Sequence, residues 1–224
     1  MRLTRSTLKD QALDVIRQSL VTGEIAPGEI HSTVSLATRL GTSSGPVREA
    51  MLVLVEQGIM EVVGNRGFRA VSLTGHDLGE VYDLRLMLEV PAMRRLARQG
   101  LDDGAAALVR DHAQRCQAAA AAGDLTGFLS ADREFHLRLT EMLGNARLVK
   151  FVGQLRDQTR LYGLPSLAAE DRLAESTQEH FELLDAILNH DSDRAEQVMT
   201  KHLAHVRGDW SSAVEPSPSP EPQE

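Results

Sequence analysis

The chain has a single cysteine, Cys116, among 224 residues. An internal disulfide is excluded, and a reducing cytoplasm is the expected setting. No apolar run approaches the roughly 20 residues that a membrane-crossing helix needs, so no membrane partner is expected. The opening MRLTRSTLKD lacks the apolar stretch of a secretory signal. An excess of positive charge is also missing: the net charge is −8, which argues against a general nucleic-acid binder until it is divided along the chain. Residues 1–75 hold 8 Lys and Arg against 7 Asp and Glu, a balance of +1, whereas the other 149 hold 16 against 25, a balance of −9. Any DNA reader in the first part must rest on a few placed basic groups and on dimerisation. What is present is a 42% hydrophobic share, enough for a buried core in one large domain or two modest ones.

Residues 33–71 are the most patterned stretch. Val34, Leu36, Ala37 and Leu40 give a short helix an apolar face, and Gly41 ends it. Thr42, Ser43 and Ser44 offer N-cap hydroxyls to a second helix, with Pro46 and the acidic Glu49 expected in its first turn. Val47, Ala50, Met51, Leu54 and Val55 recur at three and four residues, leaving Arg48 exposed near the start, and Gly58 stops this helix. Ile59–Val63 and Phe68–Val71 read as two strands around Gly64-Asn65-Arg66-Gly67. A helix that begins with small, hydroxylic and basic residues suits a DNA major groove; the alternative is a helical hairpin with an ordinary β-turn. A helix over Ser6–Thr22, with Leu8, Ala12, Leu13, Val15, Ile16 and Leu20 inward, precedes this stretch, and Pro27-Gly28 marks a turn.

From Gly75 onward strand signals cease. Helices are expected at 76–100, 102–122, 124–143, 146–163, 167–190 and 192–210, punctuated by Gly100, Gly123 and Gly144-Asn145 and capped by Thr74, Asp124 and Ser192. Short connections imply an antiparallel bundle. The fold class is therefore mainly α: a winged helix-turn-helix over 1–74, a helical bundle of about six helices over 75–210, and a Pro/Ser/Glu-rich tail over 211–224 read as disordered.

Several polar residues fall on the apolar faces of these helices. Leu125, Phe128, Leu129, Asp132, His136, Leu139 and Leu143 share one side, so a carboxylate and an imidazole sit one turn apart in an apolar stripe. A buried carboxylate needs compensation. His180 lies in the stripe Leu173, Thr177, Leu184, Ile187, and His202 in Ala195, Val198, Met199, Val206. Three inward-facing helices can bring one carboxylate and three imidazoles to a common point, a ligand set for zinc or a related divalent transition metal. A lone inward histidine is also often a satisfied core residue, and His112, in the stripe Ala105, Leu108, Val109, Cys116, is not excluded as a ligand by spacing alone. Arg85 shares a face with Leu78, Tyr82, Glu89 and Ala92; it either grips a carboxylate ligand or pairs internally with Glu89.

Taken together, both halves resemble a GntR-family transcriptional regulator of the FCD (FadR C-terminal domain) subgroup, from about residue 7 to 207. The marks are Gly23-x-x-x-Pro27-Gly28-Glu29, Leu36-Ala37-x-x-Leu40-Gly41, Ser44-Gly45-Pro46-Val47-Arg48-Glu49-Ala50, Leu54-x-x-x-Gly58 and Arg66-Gly67-Phe68. Further on come Arg85-x-x-x-Glu89, Asp132-x-x-x-His136, Gly144-Asn145, Glu179-His180 and His202-Leu203. The resemblance implies a cytoplasmic homodimer on a partly palindromic double-stranded DNA operator, with Arg39, Thr42, Ser43, Ser44, Arg48 and Arg66 as the DNA-binding set. It implies a divalent metal on Asp132, His136, His180 and His202, zinc first, with nickel or manganese as the other candidates. His112 falls outside that pattern. A small organic acid at or beside the metal is implied to alter DNA affinity, with Arg85 and Asn145 as effector-binding positions.

The chain departs from the family in two places that matter. The usual arginine of the Ser-Arg-Thr/Ser-Pro turn is absent from Ser43-Ser44-Gly45-Pro46, and Thr33-Val34-Ser35 replaces an acidic-basic pair. Operator sequence and affinity are expected to differ accordingly. Three uses of the polar cluster stand open: a ligand-responsive, non-enzymatic regulator, which is the leading reading; a metalloenzyme acting on a small carboxylate; and a purely structural cluster.

Overall fold

The computed structural model describes residues 7–159 and 172–213, with side chains through 204. The described residues form two compact units, one running through Leu73 and the other beginning at Thr74, with the short piece from Arg156 grouped with the first.

The first unit opens with α1 (Leu8–Val21), started by a capping box in which Thr7 Oγ1 accepts from the Asp10 amide at 3.2 Å and Asp10 accepts from the Thr7 amide at 3.1 Å. Ala12, Leu13, Ile16 and Leu20 face inward, but Leu8 and Val15, expected on that side, are about half exposed. A two-residue strand β1 (Ile30–His31) leads into α2 (Thr33–Arg39) and α3 (Ser44–Glu56). In α2 only Leu36 and Ala37 are buried; Val34, assigned to the same face from spacing, is 67% exposed. Gly41 at φ 61° and Gly58 at φ 74° end these helices, as their positions in the sequence suggest. Val47, Ala50, Met51 and Leu54 of α3 are fully buried and form the centre of the unit with Ile16, Ile25, Met60 and Phe68. Burying that many apolar side chains from one 13-residue helix explains why a short helix of modest intrinsic stability holds.

The wing has three strands rather than the expected two. Strands β2 (Met60–Val63) and β3 (Gly67–Ala70) pair antiparallel around a 3-10 turn at Gly64–Arg66, and β1 pairs with the other side of β3, with His31 opposite Phe68. The order is β1-β3-β2, so β3 is central. Gly67 makes this possible: its φ is 123°, and a Cβ there would collide with the His31 carbonyl oxygen. A strand of two residues carries no readable alternation, which is why β1 escapes a sequence reading.

The second unit is all helix among the described residues: α4 (Gly75–Gln99), α5 (Asp103–Ala122), α6 (Leu125–Glu141), α7 (Ala146–Thr159, whose last turn from Arg156 groups with the first unit), α8 (Arg172–Leu188) and α9 (Ser192–Ala213). The expected ends at 160–171 lie outside the described residues, as does the expected tail from 214, and α9 continues to Ala213 instead of stopping at 210. Thr74 caps α4 in a second capping box, and its amide and hydroxyl hold Asp77 below the usual carboxylate range. Asp124 caps α6 through the Gly127 amide at 2.9 Å. At α9 the cap is Asp191, accepting from the Arg194 amide at 2.9 Å, and not Ser192, which is the first helical residue. Helix α4 packs against α6, α8 and α9, and α5 packs against α6 and α8. Phe135, Leu139, Leu183, Leu184, Ile187 and Met199 are completely or almost completely buried at their junction. Cys116 is a fully buried core residue of α5. Among the described residues no helix is long and apolar enough to cross a membrane.

Candidate metal centre and nucleic-acid interface

The apolar stripe of α6 turns Asp132 and His136 toward α8 and α9, which supply His180 and His202. The four residues each offer one ligand atom, and these atoms lie within 4.8 Å of one another. Asp132 Oδ1 is 3.2 Å from His180 Nε2 and 3.5 Å from His136 Nε2, and His136 Nε2 is 3.2 Å from His202 Nε2. The imidazole centroids form an almost equilateral triangle with sides of 4.9, 5.0 and 5.1 Å. All three rings are buried to within a few percent, whereas the Asp132 side chain keeps 19% of its surface, so the cluster is reached from the Asp132 side. Phe135 walls it: its ring lies 4.4 Å from that of His180, tilted by 33°, and meets His136 edge-on at 5.0 Å. His112, 8% exposed on α5, is not part of the group. Burial pushes its imidazole below the ordinary histidine range.

Sequence reasoning quoted Glu179 only within the Glu179-His180 mark and gave it no role at the site. This carboxylate is 2% exposed, and its Oε2 is 3.0 Å from His202 Nδ1. A carboxylate only accepts, so in this contact the Nδ1–H of His202 donates to Glu179, and the ring's other nitrogen, Nε2, is turned toward the cluster and His136 Nε2. Two neutral imidazole nitrogens at 3.2 Å satisfy each other only if one donates, whereas a cation accepts electron density from both. A buried pocket of three imidazole nitrogens and one carboxylate oxygen, with one imidazole bonded from behind by a second carboxylate, fits a divalent transition metal. The only signal in the sequence was a glutamate directly beside a predicted ligand, and helical spacing alone could not place it behind a histidine of another helix.

The predicted effector positions separate. Arg85 is 2% exposed on α4, and its Nε donates to Glu89 Oε1 at 2.7 Å, so the internal pair that competed with a ligand role is formed. Asn145 is exposed, and its Oδ1 accepts from the Leu148 amide at 3.2 Å at the head of α7. That placement makes it a helix cap through its oxygen, a role that uses only one end of the side-chain amide.

On the first unit, Arg39, Ser43, Arg48 and Arg66 are exposed, and Thr42 and Ser44 are half-buried. Ser43 occupies the N-cap of α3, but its hydroxyl makes no capping bond. Glu49 falls beyond the first turn, which has no acidic residue, so the amides at the head of α3 face outward without a competing carboxylate. Arg39 is ion-paired with Glu24, itself bonded to Ser19 at 2.8 Å. Among the described residues neither Arg48 nor Arg66 is paired with a carboxylate.

A winged helix-turn-helix joined in one chain to an all-helical bundle is the architecture of a DNA-binding regulator. The family comparisons agree: residues 8–69 match the model for bacterial regulatory proteins of the gntR family, and residues 80–205 match the FCD domain. The chain belongs to the GntR family and carries an FCD domain. A probable D-xylose utilization operon transcriptional repressor of Paenarthrobacter nicotinovorans is 30% identical over 96% of this chain and 97% of its own length. The Nta operon transcriptional regulator of Aminobacter aminovorans is 36% identical over 60% of this chain and 63% of its own length. Among solved structures, E. coli McbR/YncC superposes with a TM-score of 0.78 at 24% identity, covering 94% of this chain and all of the other, which establishes the shared fold. The chain is a DNA-binding transcriptional regulator. The families and the named relatives are regulators and not enzymes, so the metalloenzyme alternative is set aside.

Proposed function

We propose that this regulator binds a partly palindromic operator as a homodimer, and that a small organic acid held at or beside a divalent metal modulates its operator affinity. In this reading residues 1–74 form the DNA-reading domain and 75–210 the dimerising, effector-binding one, working in a reducing bacterial cytoplasm. Arg39, Arg66 and the hydroxyls of Thr42, Ser43 and Ser44 hold phosphates, and Arg48 reaches a guanine edge or a phosphate. The Arg39–Glu24 pair is no obstacle, because an exposed pair is worth only about 0–1 kcal/mol and a phosphate outbids it.

The observation that carries the proposal is the convergence of Asp132, His136, His180 and His202 from three helices on one buried point. Those four residues would hold the ion, zinc first, with nickel or manganese as the other candidates. A divalent ion so held supplies a positive charge in an apolar surround, where a carboxylate is attracted strongly. Arg85 provides a second anchor on α4 by sharing its guanidinium between Glu89 and the acid. An acid that engages Arg85 and the cluster together draws α4 toward α6 and α9. Helix α4 continues covalently from β3 through residues 71–74, so its displacement reaches the DNA reader. Coupling of this kind is typically about 1–3 kcal/mol, or roughly 5–150-fold in affinity.

The test is fluorescence anisotropy on DNA flanking the protein's own gene. Operator affinity is measured with and without zinc across a panel of small hydroxy and dicarboxylic acids. At least one acid is expected to shift affinity within that range in a zinc-dependent manner, and His180→Ala is expected to lose the shift. An affinity indifferent to every acid, with or without metal, would leave the cluster a structural one.

A further inference from the structure

Resting on that metal reading, we infer that Glu179 is a positioning residue for the cluster: it holds His202 in the Nδ1–H tautomer before any ion arrives. Glu179 directly precedes His180 on α8, yet its carboxylate turns to α9 and meets His202 Nδ1 at 3.0 Å. The residue is 2% exposed and buried beside a histidine that is 3% exposed, so no water competes for this bond. Its other oxygen, Oε1, lies 3.2 Å from the ammonium of Lys201, an ion pair reaching in from a half-exposed side chain. The two adjacent pairs, Glu179-His180 and Lys201-His202, therefore lock α8 to α9 in one register. His180 and His202 face the cluster while Glu179 and Lys201 close the circuit behind them.

Two consequences follow from this arrangement. A neutral imidazole free in water populates both tautomers, and the wrong one places a hydrogen on Nε2 where a ligand lone pair is needed. Glu179 removes that choice, so metal uptake loses no free energy to tautomer exchange or ring rotation. An ionised acceptor on Nδ1 also raises the electron density that Nε2 offers to a cation. Loss of such an outer carboxylate typically lowers metal affinity about 10–100-fold.

Two measurements on the full-length protein decide the matter. In metal-free protein, long-range 1H–15N correlation spectra are expected to show His202 as the Nδ1–H tautomer; an Nε2–H signal overturns the inference. Competition against a chromophoric chelator then compares Zn2+ and Co2+ affinity in the parent protein and in Glu179→Gln. An amide keeps the size and an acceptor oxygen but not the charge. A loss of about ten-fold or more, with an altered visible spectrum of the cobalt form, is expected; affinity within two-fold of the parent overturns it. If Glu179→Gln fails to fold, the tautomer measurement alone decides. If the parent protein takes up neither ion, the metal reading fails, and the tautomer spectrum still reports separately whether Glu179 orients His202.

Discussion

Metal removal gives the sharpest prediction, because its size follows from how the cluster is built. Asp132 and His202 are far apart in the chain, and the ligands sit on α6, α8 and α9. The unfolded chain does not assemble them, so an ion binds the native state almost exclusively. Linkage then sets the gain: about 2.7 kcal/mol when free zinc is 100 times its Kd, and about 4.1 kcal/mol at 1,000 times. For a chain of roughly 150–250 residues each kcal/mol moves Tm by about 2–4 °C. Dialysis against a chelator should thus lower Tm by roughly 8–16 °C relative to protein in excess zinc, and each ten-fold step in free zinc should add about 3–6 °C. Scanning calorimetry at fixed protein concentration and buffered zinc measures this. His180→Ala also loses ring packing on Phe135 and the 3.2 Å contact with Asp132, so its absolute Tm will fall for structural reasons. Its slope against zinc is the informative quantity and should be close to flat. A parent protein whose Tm ignores zinc from full chelation upward would refute the reasoning.

Other outcomes follow from the geometry. Arg48→Ala should weaken operator binding by about 1–3 kcal/mol, or roughly 5–150-fold, with the dimer still intact by light scattering; an unchanged anisotropy titration would exclude Arg48 as a contact. Arg66→Ala should reduce the slope of log affinity against log salt by about one, as expected of a phosphate contact on the wing. Gly67→Ala places a side chain at φ 123° against the His31 carbonyl and should destabilise the first unit by about 1–3 kcal/mol, read by urea denaturation. His112 is held below its ordinary pKa by burial, so the unfolded chain binds that proton more readily. Its contribution to stability is complete above about pH 6.5 and is lost as pH falls from there toward its folded-state value. In metal-free protein His112→Gln should flatten that acid limb, and an identical pH profile of Tm for parent and variant would count against it.

Much of this was legible in the residues because helices declare themselves by spacing. Val47, Ala50, Met51 and Leu54 specify a buried helix face on their own, and Asp132 with His136 betrays a polar site because one turn of helix leaves no freedom about their side. Spacing does not report what lies across a helix interface. Glu179 meets His202 only because α8 and α9 pack in one particular register, and no local pattern encodes it. Caps shift by one residue where several candidates adjoin, as with Asp191 beside Ser192. Amphipathic faces have edges, and Val15 and Val34 fall just outside theirs. Asn145 carries a local role that its motif position did not announce: its amide oxygen caps the head of α7.

The short strand β1 has a mechanical effect out of proportion to its length. It stitches the segment ahead of α2 to β3, and β3 is the strand whose end, Ala70, feeds the connection to α4. Residues 71–74 therefore hang from the central strand of the sheet, which holds β1, and with it the start of α2, on one edge, and β2 with the hairpin tip on the other. In the proposed mechanism a shift of α4 would load this strand first, so the three strands would move together rather than peel apart one by one.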